Sequence, residues 1–135
     1  MIKEWSGLEV DQELKLVTPP IEKLQLVKYA GASGDFNMIH TDEETAKKVG
    51  LPGIIAHGMI SMGVLGDFAQ KLAGHQGFVS RLQVKFTGMV QLHESLTCRA
   101  KVVKKDEEAR QVDLQISAEV APGKYATKGE ATIQY

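Results

Sequence analysis

Gly58-Met59-Ile60-Ser61-Met62-Gly63-Val64-Leu65-Gly66-Asp67-Phe68-Ala69-Gln70-Lys71-Leu72-Ala73 is the segment that decides the fold. Its apolar residues surround most of a helical circumference, and Asp67, Gln70 and Lys71 bring polarity only near the C-terminal end. A helix apolar nearly all round has to be wrapped by other elements. Gly63 and Gly66 each cost about 1 kcal/mol of helix propensity. The expectation is that a neighbouring backbone passes close to them.

The wrapping material follows directly. After Gly77 the chain changes from helical punctuation to period-2 alternation. Leu82, Val84 and Phe86 alternate with Arg81, Gln83 and Lys85; Leu96, Cys98, Ala100 and Val102 alternate with Thr97, Arg99 and Lys101. Val112, Leu114, Ile116, Ala118 and Val120 alternate with polar residues, and a last strand runs from about Tyr125 to Ile133 after the turn Ala121-Pro122-Gly123. One apolar and one polar face per strand marks an antiparallel sheet that covers a core on one side. A buried helix plus such a sheet predicts an α+β domain with the sheet curled around the helix.

Upstream, Glu13 to Val17 reads as a short strand ended by Thr18-Pro19-Pro20. Thr18 as N-cap with Pro19 at N1 predicts a helix presenting Leu24, Val27 and Tyr29 inward and failing at Gly31 or Gly34. Thr41-Asp42-Glu43-Glu44 has the form of a capping box between Thr41 and Glu44. The short helix it opens is expected to close at Gly50, before Pro52.

The bulk numbers bound the function. The 135 residues suit one domain, 1–135, with a real core. A net charge of -1 gives no electrostatic case for nucleic acid or an anionic membrane. The single cysteine, Cys98, cannot form an internal disulfide, which fits a reducing compartment. Met1-Ile2-Lys3-Glu4-Trp5 does not read as a signal peptide, and no apolar run is long enough to span a bilayer. The expectation is a cytoplasmic protein.

The chemistry sits in Gly34-Asp35-Phe36-Asn37-Met38-Ile39-His40 and His57-Gly58-Met59. Five residues on a regular helix separate two side chains by about 140°, so Asp35 and His40 converge only if the chain turns between them. Gly34 and Asn37 are residues that permit such a turn. Taken alone, Asp35 also reads as a helix cap and His40 as a histidine packed under a loop. Gly58, first in the apolar helix, has an N–H without an intrahelical partner at the positive end of the macrodipole. Such a donor stabilises an oxygen that becomes negative during reaction. The plainer reading of Gly58 is tight helix entry, and of His57 a core or loop histidine.

The run Tyr29 to His40, with Ala56-His57-Gly58-Met59 and Val84-Lys85-Phe86-Thr87 downstream, resembles the MaoC-like, R-specific enoyl-thioester hydratases and 3-hydroxyacyl-thioester dehydratases. The resemblance covers most of the chain from about Val27. It implies the hot-dog fold, with paired hot dogs whose sites lie at the dimer interface. It also implies that Asp35 and His40 hold the reacting water, with Gly58 N–H as oxyanion donor; Asn37 and His57 support the site. The substrate implied is a thioester of coenzyme A or acyl carrier protein, with no cofactor and no metal. One position departs: Met38 stands where the family usually has proline, which is expected to loosen the turn.

Other residues offer less. His75 and His93 lack metal-ligand spacing, and Ser33 and Ser61 lack a nucleophile-elbow pattern. Lys104-Lys105-Asp106-Glu107-Glu108 reads as a solvated hairpin loop. Arg81 and Lys85 read as solvated sheet-face cations, with a phosphopantetheine or nucleotide phosphate as the alternative contact. The rival functions are a hot-dog acyl thioesterase, against which the Asp–Asn–His spacing argues, and a non-catalytic acyl-thioester-binding subunit.

Overall fold

A computed structural model describes residues 3–135. Met1 and Ile2, part of the stretch read for a signal peptide, lie outside the described residues. The elements are a first 3-10 turn (Trp5–Gly7), β1 (Glu13–Val17), α1 (Lys23–Ser33), a second 3-10 turn (Met38–His40), α2 (Glu43–Lys48), α3 (Gly58–Ala73), β2 (Phe78–Phe86), β3 (Thr97–Asp106), β4 (Gln111–Ala121) and β5 (Lys124–Gln134). The five strands form one antiparallel sheet in the order β1-β3-β4-β5-β2, leaving β1 and β2 at the edges.

Helix α3 begins and ends where its composition requires. Leu65, Phe68, Ala69 and Leu72 are fully buried, facing the sheet residues Val102, Val112, Leu114, Ile116 and Ile133 in one core. Burying each large side chain contributes about 1.5–3 kcal/mol. The helix packs chiefly on β2 and β5. Wrapping is not complete: Met59, Gly63, Asp67 and Gln70 form an exposed strip along the other side.

The two helix glycines are not sites of backbone approach. A Cβ at Gly63 would meet nothing within 4 Å, and one at Gly66 would meet only the Leu82 side chain at 3.4 Å. Close approach occurs instead in the sheet, where a Cβ at Gly129 of β5 would lie 1.9 Å from the Gln83 carbonyl oxygen of β2.

Two predicted helix starts move. Thr18 does not cap α1: its N–H donates to the Leu96 carbonyl and its hydroxyl oxygen accepts from Leu96 N–H, both at 2.9 Å. Residues preceding proline are pushed out of the helical region, so Thr18 prolongs the pairing of β1, and α1 starts after Glu22. The later start turns Leu26 and Ala30 inward and leaves Leu24 and Val27 62% and 47% exposed. Thr41 does not cap α2 either. It closes the preceding 3-10 turn, and Asp42 is the N-cap, its carboxylate accepting from Thr45 N–H at 3.1 Å. The 104–108 run is also only partly a loop. Lys104 and Lys105 lie within β3, and Lys105 Nζ donates to the Trp5 carbonyl at 2.9 Å while covering its ring.

Candidate active site

Helix α1 stops at Gly34, whose left-handed φ of 77° is open to glycine without strain. Three short bonds then shape the turn. Asp35 N–H donates to Ser33 Oγ at 3.1 Å, Asn37 N–H to Asp35 Oδ1 at 3.2 Å, and Ile39 N–H to Asn37 Oδ1 at 3.2 Å. Side chains that bond the backbone two residues on are the usual way Asp and Asn build turns. Asp35 and His40 are thereby brought together, with His40 Nε2 3.9 Å from Asp35 Oδ2. Met38 N–H takes no part in these bonds, and its side chain is exposed. The turn closes without the proline ring.

His40 is buried and Asp35 half exposed. His40 Nδ1 lies 2.7 Å from the Ile55 carbonyl oxygen. A carbonyl only accepts, so Nδ1 carries the proton and, in the neutral ring, Nε2 turns its lone pair toward Asp35. The Ile55 carbonyl is held in turn, because Ile55 N–H donates to Ile39 O and Ala56 N–H to Val90 O.

His57 is the N-cap of α3 and almost wholly buried. Its ring stacks on His40 at 3.8 Å between centroids, and Tyr29 leans on it from 4.7 Å. His57 Nε2–H donates to the backbone carbonyl of Asp35 at 3.1 Å. It therefore grips both members of the pair, one by its backbone and one by its ring. Gly58 follows it at the first turn of α3, with the Phe86 ring alongside. Ser61, at the next turn, donates to the Gly58 carbonyl at 2.8 Å and also bonds the Thr127 hydroxyl of β5.

Tyr29 and Phe86 lie in the stretches that carry the resemblance but have no site role read from sequence, and Ile55 and Thr127 have no sequence signal. Ile55 acts through its backbone, which leaves no side-chain signal. Phe86 and Thr127 belong to strands whose alternation announces only a sheet. His75 and His93 stand apart in exposed loops, His75 taking Glu4 through its backbone and His93 facing Glu22 at 3.5 Å.

Asp35, His40 and His57 each bring a donor atom within 4.8 Å of the others. A metal ion sits about 2.0–2.1 Å from a histidine nitrogen, along the lone pair in the ring plane. The His40 and His57 rings are nearly parallel and 3.8 Å apart, so their lone pairs do not meet at one point. The set is poorly shaped for metal.

Burial holds the His57 pKa below its ordinary value, with the neighbouring His40 adding to the effect and the bond to Asp35 opposing it. Protonation would also place a second N–H on Nδ1, a buried atom with no partner among the described residues. The unfolded chain, with an ordinary histidine pKa near 6.5, therefore takes up this proton first as pH falls. The His57 contribution to stability should be constant above about pH 6.5 and decline below it. Melting temperatures between about pH 8 and pH 5 should fall less steeply for His57→Gln than for the parent protein. Identical slopes would assign the acid sensitivity elsewhere.

Residues 6–122 match the family model described as "MaoC like domain". The chain is 29% identical over 114 residues to the (R)-specific enoyl-CoA hydratase of Rhodospirillum rubrum, covering 84% of this chain and 78% of that protein. Three other curated relatives match about half of this chain, which spans only 3–7% of their length. Among solved structures, R-hydratase PhaJ1 from Pseudomonas aeruginosa superposes with a TM-score of 0.86 at 29% identity, covering 97% of this chain and 84% of that one. The (R)-hydratase from A. caviae involved in PHA biosynthesis gives 0.85 at 25%, covering 95% and 97%. With a long helix laid on a curled five-stranded antiparallel sheet and a family match over most of its length, the chain belongs to the MaoC-like domain family and has the hot-dog fold.

Proposed function

We propose that this chain is a hydro-lyase that reversibly adds water to a trans-2-enoyl thioester to give the (R)-3-hydroxyacyl thioester. The observation that carries the reading is the pairing of two acceptors, His40 Nε2 and Asp35 Oδ2, 3.9 Å apart. That gap is too long for a direct hydrogen bond. It suits a water that donates one O–H to each. Its oxygen lone pair then faces away from both, toward C3 of a bound enoyl group.

In the forward direction the water oxygen bonds to C3, the C2=C3 electron pair moves toward the thioester, and the carbonyl oxygen gains negative charge. The Gly58 N–H, at the positive end of α3, stabilises that charge. Asp35 takes the water proton while His40 Nε2 orients the water, and the pair then passes that same proton on to C2, so that both groups end as they began. His57 and the Ile55 carbonyl fix the pair in this orientation, and Asn37 closes the turn that joins it. Proton transfer by such groups is worth about 10²–10⁴-fold. No step calls for a cofactor.

The test is incubation with crotonyl-CoA, following loss of enoyl absorbance with free thiol measured in parallel. Loss of absorbance without thiol release is expected. Thiol release would indicate a thioesterase, and neither signal a binding subunit.

The reading takes residues 1–135 as one domain and extends to assembly. Phe36, Met38, Met59, Phe86 and Met89 are large, apolar and about half exposed or more, on segments that carry or flank the site. Exposed apolar patches of this kind mark interaction surfaces, and the outer sides of the edge strands β1 and β2 have no neighbouring strand in the sheet. A homodimer or larger even assembly is expected, with a heteromer as the alternative. Light scattering at micromolar concentration checks this, and a fully active monomer would overturn it. Among the described residues no helix is long and apolar enough to cross a membrane. The buried thiol of Cys98 suits a reducing compartment, and a cytoplasmic location is adopted, to be checked by fractionation.

A further inference from the structure

The face of the sheet turned away from α3 carries a groove of about 770 Å³ with lining residues on all five strands. Its floor is ordered by register. Lys15 of β1 lies opposite Arg99 of β3, Arg99 opposite Ser117 of β4, Ser117 opposite Lys128 of β5, and Lys128 opposite Lys85 of β2. Four cations thus stand in one row across the sheet, interrupted only by a serine. The chain as a whole has a net charge of -1.

This row opposes the sheet's own stability. Like charges directly opposite each other on adjacent strands are destabilising, and the row holds two such pairs, Lys15 with Arg99 and Lys128 with Lys85. Partners are few: Arg99 is held by Glu119 at 2.8 Å, and Lys128 lies over the Tyr125 ring at 4.0 Å. Among the described residues Lys15 and Lys85 form no ion pair. The neighbouring row, Glu13-Lys101-Gln115-Glu130-Gln83, mixes signs, with two glutamates against one lysine. The excess positive charge is therefore confined to one row across the strands.

We propose that this cationic row is a docking surface for a partner protein that lays an acidic helix across the strands. Length selects the occupant. Strands about 4.8 Å apart make the row about 19 Å long, several times the span of a single phosphate. Carboxylates four residues apart on a helix are about 6 Å apart along its axis, close to the strand spacing, so acidic residues on successive turns stand over successive cations. The side chains in the row are polar or charged throughout, which disfavours a lipid surface. The docking requires nothing of Asp35, His40 or Gly58, so it stands or falls apart from the hydration reaction.

The experiment uses the full chain and a fluorescein-labelled helical peptide of about 16 residues with Glu at every fourth position, long enough to span the row. A control peptide has Gln at those positions. Fluorescence anisotropy at low ionic strength should show binding of the Glu peptide alone, weakening as salt shortens the Debye length toward about 8 Å. The double variant Lys15→Gln with Lys85→Gln should bind at least about tenfold more weakly and melt at the same or a higher temperature, because both like-charge pairs are relieved. Three results would overturn the proposal. One is unchanged peptide binding by the variant. Another is a lowered melting temperature, which would make the row a structural feature. The third is a raised KM for crotonyl-CoA in the variant with the peptide unbound by the parent, which would assign the row to a small phosphate-bearing ligand.

Discussion

Asp35→Asn and His40→Gln should each lower kcat for hydration by at least about 10²-fold, because each removes a proton acceptor and keeps the size of the side chain. The geometry makes the first of these the cleaner substitution. Asparagine at 35 retains an oxygen to accept from Asn37 N–H, so the turn has what it needs to close. Glutamine at 40 keeps the approximate size of the ring, but its amide overlays the Nε2 position rather than Nδ1, so the bond to the Ile55 carbonyl is lost together with the stacking on His57. Folded yield and cooperative melting should stay close to those of the parent. The double variant should be little worse than the poorer single one, since a water held between two acceptors is lost when either is lost, and groups sharing one step are non-additive. Steady-state kinetics on crotonyl-CoA, with circular dichroism as the folding control, decides the matter. Near-parental turnover in either single variant would sink the mechanism.

The fold was legible where one pattern dominated over many residues. The apolar circumference of 58–73 and the alternation in four segments after Gly77 state the helix and the sheet; α3, β4 and β5 appear within a residue of the expected bounds, whereas β2 begins three residues before Arg81 and β3 runs four residues past Val102. The starts of α1 and α2 were misread for a common reason. Each rests on one capping residue, and a tertiary or neighbouring bond claimed it: Leu96 took Thr18, and the 3-10 turn took Thr41. Local propensity had no means of reporting a partner 78 residues away. The candidate site was legible as residue types, since an acid, an imidazole and a glycine at a helix entrance are the groups that the proposed hydration needs. Their convergence depends on backbone bonds, from Asp35 to Asn37, from Asn37 to Ile39 and from Ile55 to His40, that no spacing rule encodes.

Gly58→Val should abolish most activity and leave the fold intact. A Cβ at this position would lie 3.6 Å and 3.8 Å from two carbons of the Phe86 ring, which is ordinary contact. Gly58→Ala should therefore fold well and keep substantial activity. Valine adds two methyl groups at the helix entrance, where the thioester must approach the backbone N–H. The half-exposed Phe86 ring can give way to them, but a bound carbonyl cannot. The helix tolerates the change, because a β-branched residue costs at most about 0.7 kcal/mol in intrinsic propensity and the first position is the most permissive. Ser61 continues to hold the Gly58 carbonyl from the next turn, which keeps the first turn in place. The expected phenotype is cooperative melting with kcat down by about 10²-fold or more, the scale of losing one oxyanion donor. A loss of activity only in proportion to lost folded protein would make Gly58 a packing residue. The donor would then be sought at the neighbouring Met59 N–H, which lies in the same first turn and likewise lacks an intrahelical acceptor.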